Sequence, residues 1–272
     1  MELDTIIFGD THCDFTAIEE AAQEIDPAYP PVCIFVGDFG FADRDESNWE
    51  EGLRRDDLPL KDVRKPDEIL RPLTELGCRI LHVRGNHDFQ DAHHYESVVA
   101  SRALMGGNLH CKVVEIEGVR IAGLEGIFGG PWLPRDGKVV SHTREHWLAN
   151  NRSYRNGNRW HPAVDRLQGI PPGLQVGHRK YIWPEDVEYM RGLEADVLVT
   201  HEPPLSGAAT QGFQVINDLA CDMGAKVVIH GHIHTPYEAV TSEGIEVNSI
   251  EIKSWIRLDL GQYRHDAERK FR

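Results

Sequence analysis

No stretch of this chain approaches the ~20 consecutive apolar residues that a membrane-spanning helix needs. The opening Met1-Glu2-Leu3-Asp4 is acidic and lacks the basic region and longer apolar run of a secretory leader, so a cytoplasmic protein is expected. Cysteine is scarce. Five residues, Cys13, Cys33, Cys78, Cys111 and Cys221, are odd in number, scattered, and form no C-x-x-C pair. They read as reduced thiols and exclude a disulfide framework. Positive charge is short as well, with 29 Lys and Arg against 44 Asp and Glu, a formal net charge of −15. That argues against broad nucleic-acid contact, whose affinity comes from Lys and Arg neutralising phosphates. A small anionic substrate remains compatible, because a local cation can outweigh the global field.

What remains is an ordinary globular composition, 40% hydrophobic and 27% charged over 272 residues, able to bury a substantial core. No repeat, low-complexity linker or composition shift divides the chain, so a single domain over 1–272 is expected. Short apolar runs at Thr5–Phe8, Val32–Val36 and Arg79–Arg84 read as buried strands, each followed by glycine. The pattern predicts helices over Asp14–Ile25 and Pro66–Leu76, with Pro72 weakening the second, and an exposed loop over 40–65. A hairpin turns at Glu117-Gly118. Further on come a helix at Pro184–Ala195, a strand at Val197–Thr200, a helix at Val215–Met223 and a strand at Lys226–His230. Alternating residues from Tyr237 to Leu260 predict closing antiparallel strands. Strands alternating with helices indicate an α/β layered sandwich. The segment 128–184 has little periodicity and is long for a loop, which marks an insertion with a role.

Histidine is the outlier, at 15 residues. The strands run into Asp10-Thr11-His12, Gly37-Asp38, Gly85-Asn86-His87-Asp88, His201, and His230-Gly231-His232-Ile233-His234. In open α/β sheets ligands bind beyond the carboxyl ends of strands, so these clusters can meet on one rim. His230 fits a buried, hydrogen-bonded histidine better than a ligand; His82, His93, His94 and His110 match no motif and read as structural or exposed.

The blocks D-x-H, G-D, G-N-H-D, a lone His and G-H-x-H, in that order from Asp10 to His234, resemble the calcineurin-like metallophosphoesterases. The resemblance implies a four-layer α/β/β/α sandwich holding two divalent metal ions. Asp10, His12 and His234 would hold one ion, Asn86, His201 and His232 the other, and Asp38 would bridge them. The mixed imidazole, carboxylate and amide donors suit Mn, Fe, Zn, Co or Ni, with Mn favoured. Such ions outweigh the two carboxylates and a shared hydroxide by about one charge, which draws in a phosphoryl group. On this resemblance the hydroxide would attack phosphorus in line and His87 would protonate the leaving group, with Asp88 expected to orient His87 and Arg84 to hold a non-bridging oxygen.

Against the protein phosphatases and dinucleoside tetraphosphate hydrolases, whose pattern is G-D-x-x-D-R-G with G-N-H-E, the pair Asp43-Arg44 comes two residues late and the third block ends in Asp88. Substrate choice then falls to the insertion. His142, Arg144, His146, Asn150, Asn151, Arg152, Arg155, Asn158, Arg159 and His161 crowd it, and Trp132, Trp147, Trp160 and Trp183 add flat apolar surface. This mixture leans toward a phosphodiester or nucleotide-like substrate. The alternatives are a phosphomonoesterase or protein phosphatase, a DNA nuclease, and a catalytically silent scaffold.

Overall fold

The computed structural model describes residues 2–44, 60–89, 92–150, 171–208 and 211–265. The first part of the chain supplies β1 (Asp4–Phe8), α1 (Thr16–Gln23), β2 (Val32–Phe35), β3 (Ala42–Arg44), β4 (Leu60–Val63), α2 (Pro66–Ile69), α3 (Arg71–Glu75), β5 (Arg79–His82) and α4 (Ala92–Ala100). Then follow β6 (Val113–Ile116), β7 (Val119–Leu124), β8 (Trp132–Leu133), β9 (Lys138–Val139), α5 (Arg144–Asn150), α6 (Val176–Arg179) and α7 (Pro184–Met190). The last part holds β10 (Val197–Thr200), α8 (Gln214–Met223), β11 (Val227–His230), β12 (Tyr237–Val240), β13 (Glu246–Ser249) and β14 (Trp255–Asp259).

One sheet has the order β14-β1-β2-β5, parallel except for β14. A second has the order β12-β13-β11-β10-β7-β6, parallel through its four central strands and antiparallel at both edges. Parallel strands are covered on both faces, and their sequences are accordingly apolar throughout. The period of two then divides the side chains between two cores. Ile7, Ile34 and Leu81 of the first sheet meet Ile121, Val197, Val199, Val227 and Ile229 of the second. Ile6, Phe8, Cys33 and Phe35 point the other way, onto Ala17, Ile18 and Ala21 of α1 and Leu73 of α3. Ala122, Leu198 and Val228 face Val187 and Met190 of α7 and Ile216 and Leu219 of α8. The four layers are therefore helix, sheet, sheet and helix. Among the described residues no helix is long and apolar enough to cross a membrane.

The local departures have local causes. The helix expected over Pro66–Leu76 divides into α2 and α3 at Leu70, because Pro72 enters the first turn of α3 and has no amide to continue a ladder. The loop expected over 40–65 contains the antiparallel pair β3–β4, with Arg64 donating its amide to the Phe41 carbonyl at 2.6 Å. Residues 45–59 lie outside the described residues. The closing strands do not form one meander: β13 runs parallel to β11, and β14 crosses to the other sheet. Helix α4 has no counterpart among the predicted elements, since its two histidines and scattered apolar residues give little helical periodicity.

Candidate metal centre

Every parallel strand that precedes a motif stops at the same rim, and the chain turns there at once. Backbone bonds tie the turns together: His12 donates to the Asp38 carbonyl at 3.0 Å and Cys13 to that of Phe39 at 3.2 Å. The His87 amide donates to Asp38 Oδ1 at 2.7 Å, and the His232 amide to Asp10 Oδ2 at 3.0 Å. Four motif residues, His12, Asp38, His232 and His234, hold positive φ between 43° and 68°. Each such residue costs roughly 1–3 kcal/mol unless its surroundings enforce it, and such strain gathers at functional sites. At Gly85 the reason for glycine is space rather than turning, because a Cβ would strike Asp38 Oδ1 and the His201 ring.

The side chains converge. Asp10, His12 and His234 bring one ligand atom each to within 4.8 Å of one another, as do Asp38, His201 and His232, and also His12, Asp38 and His87. His12 Nε2 and His234 Nε2 face each other at 3.1 Å, and His234 Nε2 lies 3.1 Å from Asp10 Oδ2. His201 Nε2 lies 3.3 Å from Asp38 Oδ2 and 3.2 Å from Asn86 Oδ1. Asp38 Oδ2 also lies 3.7 Å from His12 Nε2, which puts this carboxylate between the two groups. Asp10 Oδ1 is buried and has no hydrogen-bond partner. A buried carboxylate oxygen left bare, beside imidazole nitrogens that face one another rather than donors, is the donor set of a cation site. The residues fit two divalent ions arranged as the resemblance implies.

The charges are consistent with that. Burial lowers the His232 pKa to about 4, and burial also leads in lowering that of His12, so both stay neutral and able to ligate. Burial works against the charged form of His201 too, but the Asp38 and Asp10 carboxylates outweigh it and push its pKa to about 10. Burial would raise Asp38, yet His201 and His87 hold its carboxyl well below the usual range. His201 Nδ1 meets the Val36 carbonyl at 2.8 Å, which leaves Nε2 toward the site. The ring of His87 packs edge-on against that of His12, with centroids 4.7 Å apart.

Two expected roles change. Asp88 does not turn toward His87: its oxygens accept the amides of Asp38, Phe39 and Gly85 at 2.8–2.9 Å, and Oδ1 lies 2.9 Å from His94 Nε2. It fastens the second and third motif turns to one another. Arg84 does not reach the site either. It is 1% exposed, donates from Nε and Nη2 to Glu125 at 2.9 and 2.7 Å, and lies over the rings of Phe89 and Tyr95. The bidentate carboxylate partner was invisible in the sequence because it sits 41 residues away.

His230 is a hydrogen-bonded core residue as expected, with Nε2 at 2.9 Å from the Tyr237 hydroxyl. His82, His94 and His110 are buried, and the His93 side chain lies outside the described residues. Glu202 carried no motif beyond adjacency to His201. It accepts the Phe128 amide at 3.0 Å and lies 3.9 Å from His232 Nε2, and burial pushes its pKa up to about 7.

The insertion is only partly a rim. Trp147 and Trp183 are buried together with Leu148 and Leu174, so they are core and not free apolar surface. Arg144 is spent on Glu185 and Asp186. Trp132 is half-buried edge-on against Phe128; Phe128 packs at a tilt against Phe213, over whose ring Arg135 lies at 4.5 Å. His142 and His146 are exposed. Asn151, Arg152, Arg155, Asn158, Arg159, Trp160 and His161 lie outside the described residues, as do the side chains of Asp43 and Arg44.

Comparison with known proteins agrees with the geometry. The family described as calcineurin-like phosphoesterase matches residues 3–236. A Haemophilus influenzae protein of uncharacterised activity is 34% identical over 178 residues, 65% of this chain and 71% of its own. The fold of a dimetal phosphatase from Danio rerio superposes with a TM-score of 0.51 at 11% identity, covering 92% of this chain and 88% of that one. With five motif blocks on one rim and the family matched over most of its length, the chain belongs to the calcineurin-like phosphoesterases.

Proposed function

We propose that this protein is a two-metal-dependent phosphoester hydrolase acting on a phosphodiester or nucleotide-like compound. The observation that carries the proposal is the bare, buried Asp10 Oδ1 among facing histidine nitrogens, with Asp38 between the two ligand groups. Asp10, His12 and His234 would hold one ion and Asn86, His201 and His232 the other, with Asp38 within reach of both; Mn²⁺ is the metal to load first. Such ions supply Lewis acidity toward the phosphoryl oxygens and an activated water for in-line attack.

The chain's own residues do the rest. His87 is held beside the site by its amide bond to Asp38 Oδ1 and carries a ring nitrogen able to protonate the leaving oxygen. Glu202, which accepts the Phe128 amide, stands 3.9 Å from His232 Nε2 and adds a carboxyl group to the rim. The diester reading is supported by apolar surface on the segment that meets Glu202: Phe128 and Trp132, with Arg135 beside them, can receive a ring or base attached to the phosphate. The proposed setting is a cytoplasmic enzyme on a small phosphorylated substrate.

Protein loaded with Mn²⁺ is expected to hydrolyse bis-p-nitrophenyl phosphate in preference to p-nitrophenyl phosphate. Preference for the monoester would overturn the diester reading, and cleavage of linear or single-stranded DNA would replace it with a nuclease. A preparation that neither binds metal nor turns over either ester would leave a silent scaffold. Replacing His87 with Ala should leave the metals bound and slow poor leaving groups by about 10²–10⁴-fold.

A further inference from the structure

Lys180 stands apart from the other lysines. Lys65 pairs with Glu68, Lys253 with Asp14, and Lys226 donates to the carbonyls of Tyr263 and Arg264. Lys180 is half-buried with Nζ over the Tyr181 ring, 5.5 Å from its centroid, and no carboxylate among the described residues lies within salt-bridge distance of it. An ammonium held out of water without a counter-ion is costly and calls for an anion.

Its backbone lies one segment away from the metal-bearing turn. The Lys180 carbonyl accepts the Ile127 amide at 2.7 Å, and the Gly126 amide donates to the Arg84 carbonyl at 2.8 Å. Gly126 holds φ +88°, and a Cβ there would strike the Lys180 carbonyl, so the two chains meet as closely as glycine allows. From Arg84 the chain enters Gly85 and Asn86, packed on Asp38 and His201. Lys180 is thus laced to the metal-bearing turn through one intervening segment. Burial lowers its pKa, and Asp38 is the charged group whose field acts against that.

We infer that Lys180 binds a non-bridging oxygen of the substrate phosphoryl group, the task that Arg84, committed to Glu125, does not perform. The inference rests on the phosphoester reading and adds its anion-binding residue. A lysine suits the role as a compact point charge with three donors, one that a local site can carry while the protein's overall charge stays negative.

The test compares wild type, Lys180→Met, Lys180→Gln and Lys180→Arg, each loaded with Mn²⁺. The readouts are binding of inorganic phosphate by calorimetry, KM and kcat on bis-p-nitrophenyl phosphate, and metal content by elemental analysis. The Met and Gln variants should keep their metals, bind phosphate about 10–100-fold more weakly and raise KM more than they lower kcat, while Arg restores much of the loss. Unchanged phosphate affinity and KM in Lys180→Met would overturn the inference. So would loss of metal or of folded structure in both Met and Gln variants, which would show a structural lysine. Wild type that binds phosphate through Lys180 but hydrolyses no ester would sink the hydrolase reading and leave the anion site standing.

Discussion

The metal centre and the ion network beside it use the same kinds of side chain and join at Arg84-Gly85, yet they are completed differently. In the network every charge has a partner: Arg84 with Glu125, Glu125 with Asn108, Asp186 with both nitrogens of the Arg144 fork, Arg144 again with Glu185. In the centre Asp10 Oδ1 has no hydrogen bond and only His201 Nδ1 at 4.0 Å, histidine nitrogens face each other, and four residues hold positive φ. Buried polar groups are nearly always satisfied, so the two regions differ in what they still require. The first is closed by the protein itself. The second leaves ligand atoms unspent, as a cation site does. The contrast also sorts the other His/Cys/Asp grouping, His110, Cys111 and Asp186, whose ligand atoms also lie within 4.8 Å of one another. There Arg144 already occupies both Asp186 oxygens at 2.8 and 2.7 Å, so that grouping belongs to the closed region.

The largest effect that would sharpen the contrast is removal of the shared carboxylate. Asp38→Ala should abolish measurable turnover, a loss of about 10³-fold or more, and weaken metal binding by more than the roughly 10–100-fold seen when a supporting group is lost. Without metal its folded stability should fall as well, because Ala keeps the positive φ and leaves the His87 amide and the buried His201 without their carboxylate. A variant that kept both metals and near-normal turnover would show that Asp38 is not shared.

The same operation on the closed region should act on stability. Arg84→Met leaves Glu125 buried and unpaired, with an expected cost of about 3–5 kcal/mol in denaturant unfolding, whereas Arg84→Met with Glu125→Leu should recover much of it. The pH dependence follows. Burial alone would raise the Glu125 carboxyl, but Arg84 and His110 override it and hold the pKa at about 2. A depressed carboxyl contributes stability that is complete above the ordinary glutamate range near 4.5 and is lost as pH falls through about 2. Wild type should therefore lose stability between those values more steeply than Glu125→Gln. Equal acid slopes would mean that the pair is not buried as described.

These two regions also differ in how far the sequence discloses them. The candidate ligands follow apolar strands at fixed short spacings, so the convergence of Asp10, His12, Asp38, Asn86, His201, His232 and His234 on one rim was readable locally. The parallel sheets were readable for the same reason, since strands buried on both faces are apolar throughout. Pairing across long separations was not. Arg84 has the same local appearance whether it reaches a substrate or Glu125, and only the fold brings β7 beside it. Asp88 likewise adjoins His87 in sequence while its oxygens reach back to Asp38 and Phe39. Trp147 and Trp183 looked like free surface because the insertion has no periodicity from which to infer a satellite core.

The smallest of these effects bears most directly on what closes the open region. Adding Mn²⁺ at about 100 times its Kd should stabilise wild type by about 2.7 kcal/mol, roughly 5–10 °C in Tm for a chain of this size, and a chelator should reverse it. The gain should shrink on acidification, because His201, its pKa pushed to about 10, must release a proton before it can ligate, so ion and proton compete for it. Cys111→Ser should leave both the gain and the metal content untouched, since Arg144 keeps Asp186 from serving as a ligand. A metal-induced shift that depended on Cys111 and survived Asp38→Ala would exchange the two regions: the network would be the cation site, and the strained turns at Asp10 and Asp38 would need another explanation.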